Sequence, residues 1–312
     1  MAHPIVPVGH LKLTVLLPPK LLNVNDTLYF SANNGKKGSE LWTTDGTAAG
    51  TVLLKDIFPG KNSSSISNLT EINGTLYFTA NDGKNGIELW ISDGTAAGTV
   101  LFKDVFEGFT GSSPSNLTNV NGTLYFTATN GTNGRELWVS DGTDAGTFMV
   151  KDIVSGSGTS NPSNLTNVNG TLYFTATTKS NGYELWKTDG TASGTVLVKD
   201  INPGSASSSP SRLTNVNGTL YFTANNGTNG SELWKTDGTN AGTVLVADIN
   251  PGSGTSSPSN LINVNGTLYF TASNIANGVE LWKTDGTTAG TVLVADINPG
   301  SAFFQRLKLY QC

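Results

Sequence analysis

One cysteine, Cys312, is all this 312-residue chain contains, so it can form no disulfide within itself. That composition suits a bacterial or cytosolic chain better than a small disulfide-stapled secreted domain. Histidine is almost as scarce: His3 and His10 both precede the repeated part of the sequence. No His-based catalytic triad and no His-rich zinc site can be assembled within the repeats. Charged residues make up only 13% and the net charge is −5, with arginine at 135, 212 and 306 alone. Nucleic-acid binding needs clustered Lys and Arg, so no such partner is expected. No run approaches the roughly 18 apolar residues of a membrane helix, and no membrane insertion is expected. A helical period is also missing, and Gly or Pro interrupts the chain every 10 to 15 residues. The start, MAHPIVPVGHLKLTVLLPPKLL, has an apolar run at Leu11–Leu17 but neither a basic leader nor a small-residue cleavage site. It reads as an N-terminal extension, residues 1–20, left by a cut from a longer chain rather than as a signal peptide.

What is present is a period. Trp42, Trp90, Trp138, Trp186, Trp234 and Trp282 are each 48 residues apart. The same step carries Glu40 to Glu280, Asp45 to Asp285, Asp56 to Asp296 and Tyr29-Phe30 to Tyr269-Phe270. Repeats of this length mark propellers, solenoids or arrays. In residues 212–252, RLTNVN leads through an Asn-Gly turn into TLYFTA, the signature of a hairpin. A Gly/Asn loop, SELWKTD, a turn at DGTNAG and TVLVADI come next, then the Ser/Gly/Pro loop NPGSGTSSPS. These are four strands, a to d. Tyr221-Phe222 and Val244-Leu245-Val246 are unbroken apolar runs, which require cover on both faces of a sheet. The expected fold is all-β, a six-bladed β-propeller of four-stranded antiparallel blades over 21–298, with a tail at 299–312. LKLTVLL (11–17) and FFQRLKLY (303–310) read as a worn strand d and a worn strand a, available to latch the ring.

The phrase ELW-x-x-DGT-x-x-GT, followed by V-L-V-K-D-I-N-P-G, resembles the bacterial ELW-x-x-DGT repeat family over about nine-tenths of the chain. The resemblance implies an extracellular or cell-surface bacterial setting and implies no catalytic residues. The strand layout is also similar to kelch propellers, but only in part. Thr223-Ala224 stands where kelch has a double glycine, and Trp234 lies in the third strand rather than the last.

The recurrent residues have structural readings. Asp45, Asp93, Asp141, Asp189, Asp237 and Asp285 sit where strand c turns into d, where an Asp accepts the N–H two residues on. The tryptophans supply one large apolar body per repeat, flanked by Leu, and are read as core. A lectin would instead expose them for sugar stacking. The Glu before Leu-Trp must find donors if it points inward. The 81–88 loop, NDGKNGIE, is similar to a calcium loop but holds only Asp82 and Glu88 as carboxylates, too few for a metal site. The NGT triplets at 73, 121, 169, 217 and 265 match a glycosylation sequon, and the turn alone explains them. Three arginines on six blades raise a sialidase-like enzyme, yet its S-x-D-x-G-x-T-W boxes are missing.

Catalysis needs unlike groups, so a site should lie where one repeat departs from the rest. One set of departures leads strand a: Lys20, Asn68, Asn116, Asn164, Arg212 and Asn260, expected to ring the mouth of a central channel and hold an anion or a polyhydroxylated ligand. A second precedes the Glu of strand c and includes Arg135 and Tyr183. The expected function is a non-enzymatic binding or scaffolding module of a bacterial surface or secreted protein, with an unidentified protein or glycan as ligand and no cofactor. A multivalent lectin is the alternative, and a sialidase-like glycoside hydrolase the remote one.

Overall fold

The structure, a computed structural model, describes residues 21–297 and 299. It contains twenty-four strands and, among the described residues, no helix. They form six antiparallel sheets of four strands, each in simple chain order. The two segments expected to latch a ring, 11–17 and 303–310, lie outside the described residues. The chain divides into two compact units: one runs up to Gly131 and includes Ser140–Thr147, and the other comprises Thr132–Val139 and the chain from Phe148 on.

The fifth repeat shows how each sheet arises. Strands a and b (Ser211–Val216 and Thr219–Asn225) are joined by Asn217 and Gly218, both with positive φ, 50° and 87°. That is the backbone of a two-residue hairpin turn twisted to match its strands. The first repeat reaches the same geometry with Asn25-Asp26. Strand c (Ser231–Thr236) pairs with b from Leu220 opposite Thr236 to Asn225 opposite Ser231. Strand d is Val244–Ala247, shorter than the TVLVADI segment read from the sequence, and its register with strand c shifts between Leu233 and Trp234. Asp248 and Ile249 thereby leave the ladder and turn toward the next repeat.

The adjacent Tyr-Phe pair follows from period two in a sheet covered on both faces. In the second unit, Phe222 packs with Val168, Tyr173, Leu185 and Trp234, which belong to the fourth and fifth sheets. Its neighbour Tyr221 points the other way, toward Leu268 and Phe270 of the sixth sheet. The first unit repeats the scheme, with Phe78 and Trp90 packed against Val24, Tyr29 and Leu41. Phe78, Phe126, Phe174, Phe222 and Phe270 are all fully buried. Each such side chain contributes on the order of 1.5–3 kcal/mol relative to an exposed one.

Candidate functional site

The ELW glutamates are the most buried acids in the chain, all six with no exposed surface. Glu184 accepts from the Ile201 N–H at 3.0 Å and from the Ser208 N–H at 2.9 Å, and Ser208 Oγ donates to it at 2.5 Å. Ile201 follows strand d, and Ser208 lies in the loop leading to the next repeat. The Ser208 carbonyl in turn accepts from the Asn225 N–H of the next strand b, so one carboxylate ties three segments across a repeat boundary. Glu40, Glu88, Glu136 and Glu232 accept from backbone N–H groups at the same two offsets. Burial raises the pKa of Glu184 above the ordinary value, outweighing the hydrogen bonds that oppose it. The same holds for Glu40, Glu88, Glu136 and Glu232.

The DGT aspartates are the reverse case, exposed and strongly bonded within their own turn. Asp189 Oδ1 accepts from the Thr191 N–H at 2.9 Å and from Thr191 Oγ1 at 2.8 Å. Those bonds hold its pKa below the ordinary carboxylate value. Thr191 Oγ1 accepts from the Gly194 N–H, and Thr195 Oγ1 donates to the Thr191 carbonyl. A Cβ on Gly194 would stand 2.0 Å from the Asp189 carboxylate, which explains the second glycine of DGT-x-x-GT.

Of the tryptophans, Trp90, Trp138, Trp186 and Trp234 are buried. Trp42 and Trp282 are partly buried. Trp282 Nε1 donates to the Ala272 carbonyl. The four buried rings are closed to sugar stacking. In the calcium-like loop, Asp82 Oδ1 accepts from the Lys84 and Asn85 N–H groups and Oδ2 from Asn85 Nδ2, while Glu88 is buried against Ser112. Both carboxylates are occupied by the fold.

Lys20 lies outside the described residues. Asn68, Asn116, Asn164, Arg212 and Asn260 share a feature hidden from the sequence: all are in the left-handed region, φ 51–55°, at a bulge in strand a. Asn is among the few residues that adopt this region readily. Their amides are committed as well. Asn68 Nδ2 donates to Thr79 Oγ1 and to the Pro114 carbonyl of the next repeat, and Asn164 Nδ2 does the same with Thr175 and Pro210. Asn116 and Asn260 bond Thr127 and Thr271. Arg212 breaks the pattern: Thr223 Oγ1 bonds the Pro258 carbonyl instead, and the arginine is exposed. Within the second unit, Arg212 stands on a strand flanked by those of Asn164 and Asn260. Arg135 immediately precedes strand c of the third repeat and Tyr183 is the second residue of strand c in the fourth; the Arg135 N–H donates to Thr159 Oγ1 and the Tyr183 N–H to Ser207 Oγ. Burial lowers the Arg135 pKa. Arg135 and Arg212 thus come from different sheets, and Arg306 lies outside the described residues.

The repeat pattern conceals another feature, a pocket of about 350 Å³ between the first two repeats. Thr43, Tyr29, Asp45, Asp93 and Gly94 are among the residues lining it. Its signal is nonetheless present in the sequence: the residue after each Trp is Thr43, Ile91, Val139, Lys187, Lys235 and Lys283, and only the first carries a hydroxyl.

No protein-family model and no curated protein matches the chain. Similar folds occur among solved structures. A puromycin hydrolase is 14% identical with a TM-score of 0.47, covering 86% of this chain and 44% of its own. Oligopeptidase B from Leishmania major is 13% identical with a TM-score of 0.49, covering 92% and 42%. An acylaminoacyl peptidase from Pyrococcus horikoshii is 12% identical with a TM-score of 0.44, covering 88% and 43%. The chain therefore spans less than half the length of these structures. At such identities the likeness assigns no residue of this chain a role. All three bear the names of hydrolytic enzymes, and none the name of a scaffold, a lectin or a sialidase. The expected surface binding or scaffolding module, its lectin alternative and its glycoside-hydrolase alternative are corrected on that finding.

Proposed function

We propose that the six sheets close into a six-bladed β-propeller, and that this propeller is a non-catalytic domain that frames access to chemistry performed by a separate hydrolytic domain. The non-catalytic half rests on one observation. The acids that recur with the period are engaged by the fold: the glutamates by buried N–H groups between repeats, the DGT aspartates by their own turns, and Asp152, Asp200 and Asp248 by an Asn amide and a glycine N–H of the neighbouring loops. A general acid or base needs a carboxyl within reach of substrate, and these are directed elsewhere. The hydrolytic companion takes its cue from the names of the structures similar in fold, and its test is aminoacyl-anilide turnover by this chain together with whatever domain or subunit it is joined to, where no turnover overturns it. Membership of the ELW-x-x-DGT repeat family, and the extracellular or cell-surface setting it implies, belong to the same proposal.

Two measurements decide it. Small-angle scattering of a closed, compact chain of this length should give a radius of gyration of about 20 Å, and a distinctly larger value overturns closure. The purified chain should hydrolyse aminoacyl anilides and peptides no faster than buffer does. Turnover that disappears in a Glu184→Gln or Asp189→Asn variant overturns the non-catalytic reading.

A further inference from the structure

The repeats differ at the residue after Trp, and the difference changes the chemistry of the junction between neighbouring sheets. In the fifth repeat, Lys235 Nζ donates to the Gly286 carbonyl of the next DGT turn at 2.8 Å. Its charge helps keep Asp285 ionised, as Lys187 does for Asp237. Tyr221 lies against Gly286, and Tyr173 lies against Gly238 beside Lys187 Nζ. The fifth repeat therefore seats an ammonium group, on a four-carbon stem, among a glycine carbonyl, an aspartate and a tyrosine, and the fourth sets Lys187 beside the corresponding tyrosine and aspartate.

The junction of the first and second repeats keeps the acceptors and lacks the cation. Tyr29 lies against Gly94, as Tyr221 does against Gly286. Asp93 spends Oδ1 on Thr95, and its Oδ2 has no partner among the described residues. Thr43 replaces the lysine, and its Oγ1 is buried with no hydrogen-bond partner. The pocket of about 350 Å³ that opens here also takes in Asp45, and neither lysine nor arginine lines it. Ile91 and Val139 occupy the same position in the second and third repeats with apolar bulk.

We propose that this pocket binds a primary ammonium group with its alkyl stem, seated as the Lys235 side chain is seated in its own repeat. The Gly94 carbonyl, Asp93 Oδ2 and Thr43 Oγ1 are the acceptors available to the three N–H donors of such a group. The stem lies along the space that Thr43 leaves unfilled. A free alkylamine and a lysine side chain of another protein share this chemistry.

The test titrates n-butylammonium chloride into the full chain at pH 7 and constant ionic strength, followed by amide NMR. Saturable shifts centred on residues 43–45 and 93–95 are expected. Thr43→Lys should weaken the apparent affinity about tenfold or more, the worth of a hydrogen bond to a charged group, because its own ammonium occupies the seat. Thr43→Val, which keeps the volume, should weaken it less. Tighter binding of N-acetyl-lysinamide than of butylammonium identifies a protein lysine as the source, and the opposite order a free amine. Shifts spread equally over all six DGT turns, unchanged affinity in Thr43→Lys, or the same saturable shifts with potassium chloride alone overturn the proposal.

Discussion

At the scale of single residues, the glutamate of ELW ties neighbouring repeats together through buried hydrogen bonds. Removing its carboxylate leaves two buried N–H groups and a hydroxyl without an acceptor, each costing roughly 1–3 kcal/mol. Glu184→Ala should therefore lower the urea-unfolding free energy by about 3 kcal/mol or more, whereas Glu184→Gln, which retains one acceptor, should cost less. The same residues set the pH dependence. Folded glutamates with pKa raised above the ordinary 4.5 hold protons that the unfolded chain releases. Their contribution is fully present below 4.5 and is lost as pH rises through the folded values. The DGT aspartates lie below their ordinary 3.8, so their contribution is present above 3.8 and lost as pH falls through the folded values. The urea midpoint should thus rise between pH 7 and 4.5 and fall in stronger acid. Glu184→Gln should flatten the first of these slopes, and a midpoint that falls steadily from pH 7 downward contradicts the assignment.

At the scale of strands and turns, the positive-φ residues separate what a pattern reveals from what it conceals. The Asn217-Gly218 turn is legible because the pair has few other uses between apolar runs. The left-handed residue at the start of strand a was not legible, since an Asn in SNLTNV looks like any polar strand residue. Only the backbone shows that the position favours Asn and that Arg212 occupies it under strain. Arg212→Asn should therefore raise the unfolding free energy by about 1 kcal/mol, within the range that the left-handed region costs an ordinary residue. Denaturant melts of the two proteins check it, and an unchanged or lower value would show that the arginine makes compensating contacts. Lys199 reaches from strand d to the Thr243 carbonyl of the next repeat. Lys199→Met should cost about 1.5 kcal/mol or more in a urea melt, the worth of a hydrogen bond from a charged group.

At the scale of the whole molecule, the question is whether the six units behave as a closed set or as a linear stack. In a linear stack, stability is a sum of repeat and neighbour terms, and losing one repeat changes the melting temperature little. A closed ring of six cannot lose one blade without breaking its contacts or straining all of them. In-frame deletion of residues 163–210, one full period, should therefore lower Tm by about 10 °C or more, or yield an associated species, by calorimetry and light scattering. A monomer melting within a few degrees of the intact chain would favour the stack.

Sequence alone determined the strand count, their order, the hairpin turns and the buried aromatic pairs. These depend on local backbone preference and on a two-residue period, repeated six times over with 48-residue spacing. It also marked Arg212, Arg135 and Tyr183 as odd. Tertiary structure decided what the odd and the common residues do. The Glu184 donors lie 17 and 24 residues along the chain, and the acceptor for Lys235 lies 51 residues on. No local pattern encodes which groups meet across such distances. The pocket beside Thr43 is the clearest case. Its sequence signal is one threonine among three lysines, an isoleucine and a valine, and it acquires meaning only when Lys235 is seen seated on a neighbouring turn. A hydrogen bond is satisfied in three dimensions, so the demand of a buried or missing partner becomes visible only there.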